Sequence, residues 1–347
     1  MDGRMSGSRS LDKITSADVA RLAGVSQSAV SRVFTPGASA SAKTAAKVRD
    51  AAEQLGYRPN VLARAMITGK SRIIGLVVAY LENQFYPVAL ERLSNVLQDR
   101  GYHILIFMAG NATENVERVV DELIDYQVDG IITASVAMTN DLTSRCQAAG
   151  IPVVMFNRGQ NDPRLSEVTS DNRAGGRRVA EFLVAAGHRR IAHIMGWQGS
   201  STGRDRAEGF RDGMAAAGFE PFAMIDGEYS RERAADVAHA LCTGAERPDA
   251  IFVGNDHMAF AVMDELRHAL GLRVPEDISI IGYDDVPMAA WPSYNLTTIR
   301  QPVNRMVSAA VETLLGQIEG NTEPRHFRID GPLMVRRSAR IPEGYKA

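Results

Sequence analysis

Cysteine is nearly absent from this 347-residue chain: Cys146 and Cys242 are the only two, far apart and outside any Cys-x-x-Cys. That excludes a disulfide framework and a thiolate zinc site, and it fits two reduced thiols in a cytoplasmic protein. Long apolar runs are missing too, so no stretch of about 18 residues offers a membrane span. The first ten residues are polar and rich in Gly and Ser, without the apolar segment of a secretory signal. The seven histidines show no metal-ligand spacing. No H-E-x-x-H, no G-x-S-x-G and no G-x-G-x-x-G after a strand occurs. Gly69-Lys70-Ser71 echoes the end of a phosphate loop, but Arg64 stands where that motif needs Gly. Neither a cofactor nor a catalytic constellation is expected.

Net charge is close to zero, at −2, yet it is unevenly placed. Residues 1–72 carry 12 Lys/Arg against 5 Asp/Glu, and the remainder carries 27 against 36. A head of +7 on a body of −9 is the asymmetry expected where only the head meets a polyanion.

The head reads as short helices. Thr15-Ser16-Ala17-Asp18 has the form of a capping box, and Val19, Ala20 and Leu22 give the helix it opens an apolar side. Gly24 permits a sharp turn, after which Ser26 can cap a second helix through Val30 and Val33. A third helix is expected from Ser41 to Leu55, stopped by Gly56, with Ala45, Val48, Ala52 and Leu55 closing a three-helix core. Two short helices joined by a Gly-containing turn follow the helix-turn-helix plan, in which the second helix enters the major groove. Its open face carries Ser26, Gln27, Ser28, Ser31 and Arg32. Gln can bond adenine and Arg can grip guanine in a bidentate way, while short hydroxyls suit phosphates. An ordinary three-helix bundle with a polar surface fits the same stretch; the basic balance favours DNA. The following "YRPNVLARAMITGKS", 57–71, holds a segment too short to be helical alone, which is expected to order only against a partner.

From Arg72 the pattern changes to strands alternating with helices: "IIGLVV" (73–78), a helix over Pro87–Asp99, "HILIFM" (103–108), "GIIT" (130–133) and "PVVMF" (152–156). A second series follows: a helix over 175–187, "IAHIM" (191–195), a helix around 204–217, "FAMID", a helix from Glu232 to Cys242, "AIFV" (250–253) and "ISIIGYDD" (278–285). Continuous apolar strands between helices predict parallel sheets covered on both faces. Two series predict two doubly wound lobes with a crevice at the carboxyl ends of the strands. Those ends carry Phe85 and Tyr86, Asn157 and Arg158, Arg204 and Arg206, Tyr229, Asn255 and Asp256, and Asp284 and Asp285. Amide, carboxylate and guanidinium groups with aromatic rings are the chemistry that grips a polyol. For single residues a structural role competes: Asp256 can cap the helix beginning "DHMAF", Arg204 can pair at the surface, and His188 can satisfy a turn.

The pieces "ITSADVARLAGVSQSAVSRVF", "SAKTAAKVRDAAEQLGYRPN" and "LARAMITGKS" closely resemble the headpiece of the LacI/GalR family of bacterial transcription regulators, and the resemblance covers nearly the whole chain. It implies an all-α helix-turn-helix headpiece plus an α/β two-lobed, periplasmic-binding-protein-like body of two doubly wound parallel sheets. The implied division is a flexible tail over 1–13, the headpiece over 14–59, a hinge helix or linker over 60–71 and an effector-binding, dimerising body over 72–347. Within the body, lobe 1 spans about 72–171 and 300–327, and lobe 2 about 172–299 and 328–340, with crossings near Asp171, Ile299 and Phe327. The family pattern implies that Gln27, Ser28 and Arg32 read bases. It also implies that Thr15, Ser26, Ser31, Ser41, Thr44, Tyr57 and Asn60 hold the DNA backbone, and that Met66 takes the minor-groove wedge position where Leu is usual. Thr35 stands where Asn is common. Arg206, Asn255 and Asp284 map onto the main effector ligands, Tyr229 onto a stacking position, and Asn157 onto a position often held by Asp. Arg158 beside Arg206 hints at an acidic or phosphorylated effector. The implied partners are a near-palindromic operator DNA, a sugar or sugar acid, and a second copy of the chain docked through the helix over Pro87–Asp99; no membrane is involved. A solute-binding protein of a sugar transport system shares the body, and a sugar-handling enzyme would need catalytic residues that the chain does not show.

Overall fold

The computed structural model describes residues 14–35, 38–58, 70–110, 113–136, 138–160 and 162–345. The hinge candidates Asn60 and Met66 lie outside them. The chain divides into a head, up to Ser71, and a body from Arg72 onward.

Among the described residues of the head, three helices stand: α1 (Ser16–Ala23), α2 (Gln27–Phe34) and α3 (Ala42–Leu55). Each starts at a hydroxyl cap. The Thr15 hydroxyl accepts from the Asp18 N–H while Asp18 accepts from the Thr15 N–H at 3.0 Å, which completes a capping box. Ser26 caps α2 through the Ala29 N–H at 3.3 Å, and Ser41 caps α3 through the Thr44 N–H at 3.2 Å. Gly24, at φ 65°, closes α1 in the left-handed conformation that a side chain disfavours. The core gathers Val19, Ala20, Ala23, Val30, Val48, Ala51 and Ala52, with Leu55 and Tyr57 packed on it. Leu22 departs from expectation. It is 51% exposed, because the inward stripe of so short a helix is filled by positions 19, 20 and 23.

The body begins with β1 (Ile73–Val78), α4 (Phe85–Asp99), β2 (His103–Met108), α5 (Thr113–Asp125), β3 (Gly130–Ala134), α6 (Asn140–Ala148), β4 (Val153–Phe156) and β5 (Ser166–Ser170). It continues through α7 (Asn172–Ala185), β6 (Ile191–Met195), α8 (Ser201–Ala216), β7 (Ala223–Asp226), α9 (Arg231–Thr243), β8 (Ala250–Val253), α10 (Asp256–Asp264) and β9 (Ser279–Asp284). Last come β10 (Thr297–Arg300), α11 (Val303–Ile318), β11 (His326–Ile329) and β12 (Leu333–Met334). Two six-stranded sheets result, ordered β11-β5-β4-β3-β1-β2 and β12-β10-β9-β8-β6-β7. All pairings are parallel except β10 with β12. The chain passes from the first sheet to the second at Asp171, returns at Gln301 and Pro302, and passes over again between Ile329 and Leu333.

Sheet interiors are apolar, as parallel pairing requires. One buried cluster runs through both lobes, from Ile74, Leu93 and Phe156 to Ile194, Met263 and Val311. Second clusters cover the opposite faces, around Val120 and Ile131 in the first lobe and around Phe210 and Phe252 in the second. Unbroken burial fails at β2. As an edge strand it leaves Ile106 and Met108 each 50% exposed. Close contact of α7 with α8 rests on glycine: a Cβ at Gly176 would strike the Arg206 carbonyl, and one at Gly209 the Arg173 backbone. That approach fixes the backbone of α8 where it presents Arg206 to the cleft.

Candidate functional site

On α2, Val30 faces the core while Gln27, Ser28, Ser31 and Arg32 stand in solvent. The helix contains no carboxylate, so nothing on it neutralises Arg32, whose Nε donates, among the described residues, only to the Ser28 carbonyl at 3.4 Å. Gln27 Nε2 donates to the Ser16 hydroxyl at 2.8 Å, tying the two helices at their N-termini. The hydroxyls expected on phosphates, Thr15, Ser26, Ser41 and Thr44, stand at helix starts, with Ser41 and Thr44 2.9 Å apart. An anion there would also meet the positive end of a helix dipole. Tyr57 is held by the Phe34 ring, 6.0 Å between centroids.

In the body, Arg206 is buried, with each of its three nitrogens engaged. Its Nε donates to Asn172 Oδ1 at 2.9 Å, Nη1 to the Gly254 carbonyl at 2.6 Å, and Nη2 lies 3.6 Å from Asp284. The guanidinium stands 3.7 Å above the Tyr283 ring. Asp284 in turn accepts from Gln301 Nε2 at 2.7 Å and from Asn83 Nδ2 at 2.9 Å. Asn83 belongs to the first lobe and Asp284 to the second, so this bond latches the cleft. Gln84 adds a contact to the Met288 sulfur across the same seam. Burial raises the Asp284 carboxyl above its usual range, opposed by Arg206 and the two amides. Asn83, Asn172 and Gln301 did not figure among the sequence candidates; their polar side chains at strand and crossing ends were the available signal.

Other candidates divide between positions. Tyr86 is buried and bonds the Ser135 hydroxyl and Asn157 Nδ2. Burial raises its phenol above the ordinary value. Asn157 keeps a buried Oδ1 without a partner. Arg158, only 6% exposed, stacks 5.3 Å from Trp197 and has an unpartnered Nε. Tyr229 donates to or accepts from Thr202 at 3.0 Å. Asn255 commits its Oδ1 to the Met258 N–H, capping α10 at 2.9 Å, the role first considered for Asp256. Asp256 instead accepts from the Thr298 hydroxyl at 2.6 Å and the Val286 N–H at 3.0 Å. Burial, then the Asp284 charge, raise its carboxyl far above normal. Arg204 is exposed and bonds the Gln198 carbonyl, outside the cleft.

Three of these residues hold positive φ, at 69° for Asn157, 57° for Tyr229 and 123° for Asp284. Such backbone is sparsely populated and persists only where the surroundings impose it. Two cavities flank the latch. Arg158, Trp197 and Tyr229 line one of about 320 Å³, with Glu82, Glu228 and Glu232 exposed at its rim. Phe85 and Asp284 line the other, of about 490 Å³.

Residues 15–60 match the model of bacterial regulatory proteins of the lacI family, and residues 180–339 match a periplasmic binding protein-like domain. The transcriptional repressor PurR of Photobacterium profundum is 31% identical over 330 residues, covering 94% of this chain and 98% of that one. The chain belongs to the lacI family. A second family member, the transcriptional regulator CelR of Thermobifida fusca, is 33% identical over 92% of this chain and 96% of that one. Among solved structures, a lac repressor dimer bound to operator and the anti-inducer ONPF superposes with a TM-score of 0.85 at 27% identity, over 94% of this chain and 99% of that one. A CelR–cellobiose complex gives 0.72 at 31% identity, over 94% and 100%. Family membership sets the transport-protein reading aside. No helix among the described residues is long and apolar enough to cross a membrane.

Proposed function

We propose that the protein is a cytoplasmic, homodimeric repressor whose hold on a near-palindromic operator is set by a sugar or sugar derivative in the interlobe cleft, and that it is not an enzyme. The observation that carries the reading is the pairing of a carboxylate-free polar face on α2 with a cleft latched through Asp284. Gln27, Ser28 and Arg32 read bases. Thr15, Ser26, Ser31, Ser41, Thr44, Tyr57 and Asn60 hold the backbone, and Met66 wedges the minor groove. Phe85, Tyr86, Asn157, Arg158, Arg206, Tyr229, Asn255 and Asp284 shape the effector site.

One recognition helix reads too few base pairs for genomic specificity, so two heads act together. The outer face of α4, whose Ala89, Leu93 and Leu97 are turned into its own lobe, adjoins the exposed apolar residues of β2 and forms the self-contact with it. The test is a gel-shift titration with DNA from beside the gene. Arg32→Ala should weaken specific binding by about 1–3 kcal/mol and relax preference at one base pair per half-site. Equal weakening on operator and random DNA would reduce Arg32 to a phosphate contact.

A further inference from the structure

The larger cavity lies on the far side of the Asn83–Asp284 latch from Arg158 and Tyr229, and its charge is one-sided. Its lining joins α4 and the start of α11 in the first lobe to the loop after β9 in the second. Asp284 is already held by Arg206, and Asp285 is shared between Arg300 at 2.6 Å and Arg336 at 2.5 Å. Both carboxylates are therefore matched. Arg92 and Arg305, which also line the cavity, have no ion pair or hydrogen bond among the described residues. The first turn of α11 opens beside them from Pro302, with no side chain capping it. Two free guanidiniums and the amides of an uncapped helix start all favour an anion.

The remaining polar groups ask for the opposite kind of atom. Gln301 is 3% exposed, and with its Nε2 committed to Asp284 its buried Oε1 has no donor among the described residues. Gln84 likewise presents a buried, unpartnered Oε1. Unsatisfied buried acceptors are uncommon and call for a hydroxyl or amine donor. Phe85, Val88 and Pro287 supply apolar wall between the two ends. At about 490 Å³ the space is of the size that small-molecule sites occupy.

We propose that this cavity is a second ligand site, which shares Phe85 and Asp284 with the effector site but lies across the latch from Arg158 and Tyr229, and that it takes a phosphorylated sugar or polyol. The phosphate lies against Arg92, Arg305 and the start of α11; the hydroxyls donate to Gln301 and Gln84. Such a ligand touches both lobes and adds to the latch that closes them.

Calorimetric titration of the full chain with hexose and pentose phosphates, beside their unphosphorylated parents, tests the assignment. At least one phosphate should bind tenfold or more tightly than its parent, with an affinity that falls as salt rises. Arg92→Gln/Arg305→Gln should lose that tenfold advantage, and an unchanged melting temperature shows that the variant folds. Arg305→Lys, which keeps the charge, should retain most of it. Arg158→Gln, in the other cavity, should leave phosphate binding as it was. Equal affinity for phosphates and parents, or a double variant that binds as the parent protein does, overturns the proposal. So does loss through Arg158→Gln alone, or sugar carboxylates binding as tightly as the phosphates. Neutral sugars that bind with dependence on Arg158 and Tyr229 while no phosphate binds would leave the repressor reading standing and remove this site.

Discussion

His193 sits on β6 with no exposed surface, stacked on Phe252 at 4.2 Å, its Nδ1 2.9 Å from the Phe252 carbonyl. That carbonyl can only accept, so Nδ1 donates, and a proton on the buried Nε2 would find no acceptor among the described residues, which favours the neutral ring. Burial pushes the imidazole from its ordinary 6.5 down to about 3. The unfolded chain therefore takes up a proton near pH 6.5 that the folded chain refuses until about pH 3. The stability from neutral His193 is complete above pH 6.5 and is lost as pH falls, by about 2 kcal/mol between pH 7 and pH 5. His188 and His257 are shifted in the same direction by burial and add to the slope. Both tryptophans, Trp197 and Trp291, belong to this lobe, so urea unfolding followed by their fluorescence reads it. The unfolding midpoint should drop from pH 7 to pH 5, and His193→Phe should flatten that dependence. A slope unaltered by His193→Phe would place the titration elsewhere. At this scale the sequence revealed the groups with strong chemistry: Asp284, which ends β9, and Arg206, which the structure places within α8 rather than at a strand end. Asn83, Asn172 and Gln301 were illegible, since each acquires its role from a partner 201, 34 and 17 residues away.

Caps and helices were the legible elements. Thr15, Ser26 and Ser41 each cap the helix they precede, because a local hydrogen bond needs only local sequence. Strands were legible where they are apolar throughout. β5, β10 and β11 escaped notice: "SEVTS", "TTIR" and "HFRI" are short and mix polar with apolar residues. They become strands because neighbours already in the sheet offer a ladder. β2 shows the reverse, an apolar run whose outer half finds no cover in one chain. An edge strand with exposed Ile106 and Met108 invites pairing with another surface. Met108→Lys should therefore convert dimer to monomer at micromolar concentration in sedimentation. It should also weaken operator binding by tenfold or more, because each head then binds alone. A dimer that survives Ile106→Lys/Met108→Lys intact would move the self-contact off this edge.

The whole molecule turns on how tightly its lobes are held. Three crossings join them covalently, and Asp284 joins them through hydrogen bonds, receiving Asn83 from one side and Gln301 from the crossing itself. The bond from Asn83 ends on a buried carboxyl that also faces the Arg206 guanidinium, and hydrogen bonds to a charged acceptor contribute about 1.5–3 kcal/mol. Removing it in Asn83→Ala should raise the population of separated lobes by about tenfold or more, at 1.4 kcal/mol per factor of ten. An effector that reaches the cleft only when the lobes part then meets more receptive protein. Its association rate, followed in stopped flow through Trp197 at the cavity wall, should rise by a similar factor. Asn83→Asp sharpens the test, because it sets a second carboxylate against Asp284. Near neutral pH the two repel and hold the lobes apart. On acidification one carboxyl takes a proton, regains a donor and restores the bond, so the fast association should slow again as pH falls. Where the heads are coupled to the lobe equilibrium, linkage makes that coupling reciprocal, so operator affinity should shift in the Asn83 variants as well. If Asn83→Ala and Asn83→Asp both associate with effector at the parent rate at every pH, the latch does not gate the cleft, and control over DNA passes through other contacts.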